Sequence, residues 1–190
     1  MTGTDKTKTI TPKQRIANSA LSLFLRYGYE GTSIVQIVEA SSVSKGAFYH
    51  YYSSKAQVHK EVTQNYFLDP FAALDLKGLS KLSPKKAKAT LREFFTSQHS
   101  DSSELPDLNI VLTKAFMFDS FAQLPGFDKK VSKKYNKIIK ALARSIAKSK
   151  SPDKKAKQQA KAILATIEGE LLLEAILGNA QNKNNSKSKT

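Results

Sequence analysis

Helix-start signals recur along this chain and leave room for little but an all-helical fold. Thr11-Pro12 with Gln14, Ser33 with Gln36, and Ser54 with Gln57 each set a capping hydroxyl three residues before an amide side chain. That arrangement satisfies the exposed N–H groups of a first helical turn. Ser44 and Ser83-Pro84 supply two further starts. Behind the caps, apolar residues return every three or four positions. Ile16, Ala17, Ala20, Leu21 and Phe24 follow the first, Ile34, Ile37 and Val38 the second, and Ala87, Leu91, Phe94 and Phe95 follow Ser83. Spacing of this kind gathers side chains on one helical face, whereas the alternation of a half-buried strand is nearly absent.

Three short helices are therefore expected before residue 52, the first closed by Gly28, and a fourth from Ser54 into Asp69-Pro70. Longer helices are expected from Ser83-Pro84, over 108–124, over about 128–149 (Val131, Tyr135, Ile138, Leu142, Ile146) and over 153–178. Gly178 reads as the stop of the last. Residues 179–190 are polar and lysine-rich and are expected to be a disordered basic tail. The domains read as a head over 10–69 and a helical body over 70–178. Met1 to Thr11 lacks an apolar stretch, so no signal peptide is expected, and no apolar run is long enough to span a bilayer.

Charge narrows the partners without locating a site. The formal charge is +15, with eight Lys/Arg against three Asp/Glu in residues 1–60 and 23 against 13 in residues 61–190. Such an excess favours polyanions, or else serves only solubility. The absence of cysteine removes disulfides and thiolate chemistry and suits a reducing cytoplasm. No nucleophile–base pair, phosphate-cradling glycine loop or metal-ligand spacing is present, so neither an enzyme, a cofactor nor a metal is expected.

The turn Ala40-Ser41-Ser42-Val43 is four residues long, as between the two helices of a helix-turn-helix, and Val43 is its one apolar residue. The following Ser44-Lys45-Gly46-Ala47-Phe48-Tyr49-His50-Tyr51-Tyr52 opens on small side chains at a helix start, suited to close approach by a partner. Together with Tyr27-Gly28-Tyr29-x-Gly31-Thr32-Ser33, Ile34-x-x-Ile37 and Ser54-Lys55, this resembles the TetR/AcrR family of repressors over about residues 10–62. The chain departs from that pattern at Val38, where a small residue is usual, at Ser42, where glycine is usual, and at Ala56 and Gln57, where an aliphatic is more common.

The resemblance implies an N-terminal helix-turn-helix head, its motif at about 33–52, and a C-terminal helical ligand-binding and dimerisation bundle, about nine helices in all. It implies that Thr32 and Ser33 hold a phosphate by hydroxyl and amide. Ser44, Lys45, Gly46 and Ala47 would form the major-groove face, with Lys45 reading guanine through O6/N7. Tyr49 and His50 would touch backbone or thymine methyls, Lys55 would grip a flanking phosphate, and Phe48 would point inward. Tyr51 and Tyr52 suit either the head's core or DNA. The implied partners are double-stranded operator DNA, a second copy joined through the last two helices, and a small-molecule effector, but no membrane. In the body, Phe94, Phe95, Phe116 and Phe121 either line an effector cavity or fill plain core, with His99 and Asp119 as orienting polar groups. Glu168, Glu170 and Glu174 face a cationic ligand, solvent, or the basic helix at 129–150.

Overall fold

The computed structural model describes residues 10–98 and 109–187, with side chains described through residue 178. Its order is α1 (Pro12–Tyr27), α2 (Ile34–Ser41), α3 (Lys45–Tyr51), α4 (Lys55–Thr63), α5 (Leu76–Leu79), α6 (Pro84–Ser97), α7 (Ile110–Gln123), α8 (Phe127–Ala147) and α9 (Lys154–Lys187). There is no strand among the described residues.

The caps act where the sequence places them. Gln14 N donates to Thr11 Oγ1 while Thr11 N donates to Gln14 Oε1, and Ser33 and Gln36 repeat the exchange. At α4 the exchange is displaced by one residue. Gln57 N donates to Ser54 Oγ, but Gln57 Oε1 accepts from Ser53 N at 2.6 Å. Ser42 ends α2 in the left-handed region (φ 51°, ψ 45°). A side chain there costs about 1 kcal/mol that glycine would not.

The fourth helix does not reach Pro70 as regular α-helix. A π-helical turn spans Gln64–Leu68, closed by Asp69 N donating to Gln64 O at 2.9 Å, and a 3-10 turn follows over Pro70–Ala73. Nor does the last helix stop at Gly178. It continues through Lys187, so the disordered tail expected from 179 is helical over 179–187. Only Gly28 and Gly126 among the described glycines have positive φ. A glycine ends a helix by turning left-handed, and Gly178 keeps helical backbone ahead of residues that tolerate it.

Two cores result. Ile16, Ala20, Leu21 and Phe24 of α1 pack with Ile37, Phe48, Tyr52, Val58 and Val62 to form the head, and Phe116 of α7 belongs to the same cluster. Leu79, Leu91, Phe95, Ile138, Leu142, Leu164 and Ile167 anchor the second core, in the body. The apolar stripe of α8 is thus turned inward, while Lys129, Lys133, Lys137 and Lys140 remain on its exposed side.

Candidate nucleic-acid interface

The α2–α3 pair presents its leading end outward. Ser44 caps α3 by accepting from Ala47 N at 3.0 Å, which fixes the start of the helix at Lys45. Ser44, Lys45 and Gly46 are exposed, Ala47 is half-buried, and Lys45 has no ion pair among the described residues. A Cβ on Gly46 would meet nothing closer than Ser44 Oγ at 3.9 Å, so the fold itself does not require glycine there. Tyr49 and His50 are exposed on the following turn, and Phe48 is fully buried beneath them. The surface so formed is basic, small at its tip and aromatic behind, at the N-terminus of α3.

The two tyrosines that suited either role divide. Tyr52 is core, its hydroxyl donating to Glu61 Oε1 at 2.8 Å, and burial with that carboxylate raises its pKa well above the ordinary value. Tyr51 is half-buried and meets the His50 ring edge to face.

Two residues expected on phosphate direct polar atoms to backbone carbonyls within the head. The Thr32 hydroxyl donates to Gly28 O at 2.8 Å and its amide to Tyr29 O at 3.3 Å, and the residue is buried. Lys55 Nζ donates to Tyr29 O at 2.7 Å and Thr32 O at 2.9 Å and lies over the Tyr29 ring. The turn between α1 and α2 exposes carbonyl oxygens that no helix satisfies, and these draw in both groups. Ser33 stays exposed, and its hydroxyl keeps a proton to donate while accepting from Gln36 N.

The residues expected around an effector do not gather in one place. Phe94 and Phe95 pack with Phe71 and Tyr135 inside the body. Phe121 packs on Phe127 and Phe118. Phe116 stacks on Phe24 and edges onto His59, and Asp119 accepts from Tyr29 N, so both belong to the contact between head and body. His99 lies outside the described residues. The acidic trio of α9 takes its ion-pair partners from α6 and α7, while α8, the basic helix, supplies the Tyr135 hydroxyl. Glu168 pairs with Lys114 of α7 and accepts from Tyr135 Oη, while Glu170 and Glu174 pair with Arg92 of α6. Helical spacing reveals a face but not its partner 54 or 82 residues away. No group of three or more His, Cys, Asp or Glu able to hold a metal occurs among the described residues, and no described helix is long and apolar enough to cross a membrane.

His59 was not singled out by any sequence pattern. It is fully buried among Phe24, Tyr29 and Phe116, with Nε2 at 3.2 Å from Ser120 Oγ and Nδ1 without a hydrogen-bond partner. Burial, reinforced by the Lys55 charge and opposed by Asp119, pushes its pKa down to about 4. The unfolded imidazole binds a proton near pH 6.5 and the folded one does not, so stability is full above that pH and falls as the pH drops towards 4. The loss amounts to roughly 3 kcal/mol and levels off below the folded pKa. Urea unfolding of the parent and of His59→Leu between pH 7 and 4.5 checks this. The variant is expected to show a distinctly flatter profile, and equal slopes would refute the assignment.

Comparison with known proteins places this geometry. Residues 16–62 match the family described as bacterial regulatory proteins, tetR family. The chain is 30% identical over 60 residues to IcaR, the negative transcriptional regulator of the biofilm operon icaADBC in Staphylococcus epidermidis. That match covers 30% of this chain and only 32% of the relative. An uncharacterized HTH-type transcriptional regulator of Lactococcus lactis is 27% identical over 174 residues, covering 85% of this chain and 82% of its own. In fold, a TetR transcriptional regulator from Legionella pneumophila superposes with a TM-score of 0.63 at 22% identity, over 90% of each chain.

Proposed function

Since the chain belongs to the TetR/AcrR family of transcriptional regulators, we propose that it acts as a cytoplasmic, dimeric repressor, released from a palindromic operator by a small molecule. It is a DNA-binding regulator and not an enzyme. The observation that carries the reading is the exposed N-terminus of α3, where Ser44, Lys45 and Gly46 stand clear above a buried Phe48. Lys45 reads a guanine, Ser44, Gly46 and Ala47 allow the backbone to approach the groove, Tyr49 and His50 meet backbone or thymine methyls, and Ser33 donates to a phosphate. Lys55 and Thr32 act by shaping the turn that carries Ser33.

Two such heads grip a palindrome when they fall about 34–36 Å apart. α9 supports a seam for the second copy: Leu173 and Leu177 are 59% and 62% exposed, and Ala162, Ala165 and Ile176 continue the same side. α8 contributes less apolar surface than its sequence suggests, because its stripe is already covered within the protomer. An effector that binds the body more tightly at one head spacing than at the other releases the DNA. The π-helical turn after α4 is a suitable joint for that movement.

Selection from a random duplex library tests the reading. The parent is expected to enrich a palindrome and to bind it about a thousandfold more tightly than unrelated duplex. Lys45→Ala is expected to relax base preference at one position by roughly tenfold, with general DNA affinity less affected. Equal affinity for all duplexes would mark a merely basic protein.

A further inference from the structure

We infer that Asp119 of α7 is a latch that fixes how the reading head sits on the body, and so is a positioning residue for DNA binding. The inference rests on the reading of α2 and α3 given above. Asp119 Oδ2 accepts the backbone N–H of Tyr29 at 2.8 Å, across 90 residues of sequence. That amide lies in the turn between α1 and α2, whose shape two glycines permit. Gly28 has φ +70°, and a Cβ on Gly31 would come within 2.3 Å of the Tyr27 carbonyl oxygen. From the head's side, Lys55 Nζ holds the carbonyls of Tyr29 and Thr32. The turn is therefore gripped between a carboxylate of the body and an ammonium of the head.

The next residue along, Ser33, caps α2. A displacement of α7 thus reaches the reader through a rigid turn, without passing along α4. The His59–Ser120 hydrogen bond, made by the residue next to the latch, and the Phe116 ring, set into the head core about one helical turn before it, make α7 and the head move together. A carboxylate left for solvation alone would not face a backbone N–H that otherwise lacks a helical partner. Fixing the head before it meets DNA removes an ordering cost from binding.

The cysteine-free sequence allows spin labels at Glu39→Cys in α2 and Lys155→Cys in α9, both exposed. In Asp119→Ala the distance distribution between these labels is expected to broaden, and affinity for the duplex selected by the parent to fall about tenfold. The salt slope of binding is expected to stay as in the parent, because no phosphate contact is lost. Asp119→Asn keeps an oxygen facing the Tyr29 amide and is expected to recover most of both properties. Parent-like distances and affinity in Asp119→Ala overturn the latch, as does a loss that Asp119→Asn leaves unrecovered. If the parent itself selects no duplex, the reading of the head fails, and the distance distributions still decide the latch.

Discussion

Gly46→Leu is expected to weaken operator binding roughly a hundredfold or more while leaving the thermal unfolding of the protein unchanged or slightly raised. The fold does not require glycine at this position, since an added Cβ finds only Ser44 Oγ at 3.9 Å. Leucine is also the better helix former, by roughly 0.5–1 kcal/mol. A loss of binding therefore reports on what meets the tip of α3 from outside. A bulky side chain there holds the helix N-terminus off the groove, so that contacts from Lys45, Tyr49 and Ser33 fail together. Fluorescence anisotropy on the selected duplex, with calorimetry on the free protein, measures both halves. Undiminished binding by the variant would remove the leading end of α3 from the interface.

The largest effect on stability is expected from Phe116→Ala, about 3–5 kcal/mol. The ring is 2% exposed and stacks on Phe24 with centroids 5.8 Å apart. It also meets His59 at 5.1 Å and Phe67 at 5.2 Å. Removing it opens a cavity where α7 enters the head, and the surrounding helices, tied by capped turns, cannot fully close it. Urea unfolding gives the magnitude, and amide exchange is expected to show α1 and α4 losing more protection than α8. A cost below about 1 kcal/mol would return Phe116 to the role of a cavity wall.

The distinction between these two experiments mirrors what the sequence makes legible. Gly46 could be chosen from the sequence, because its setting depends on neighbours within four residues: the Ser44 cap, the helix that Lys45 begins, and the turn at Ser42. Phe116 could not. The run Phe116-Met117-Phe118 fans around one helix, and which ring enters the head and which is left exposed depends on how α7 leans against α1. The same holds for Lys55 and Thr32, whose polarity suggested phosphate but whose atoms answer carbonyls in a turn that closes beside them.

By itself the sequence determined the all-helical class, the helix starts and their hydroxyl caps, because hydrogen bonds within one turn are made by adjacent residues. Tertiary structure alone decided that α7 docks into the head, that Asp119 and Lys55 share one turn, that Glu168 answers Lys114, and that His59 is held neutral in an aromatic cage. Those contacts join positions tens of residues apart. Their partners are set by the angle and register at which helices pack, which no local pattern encodes.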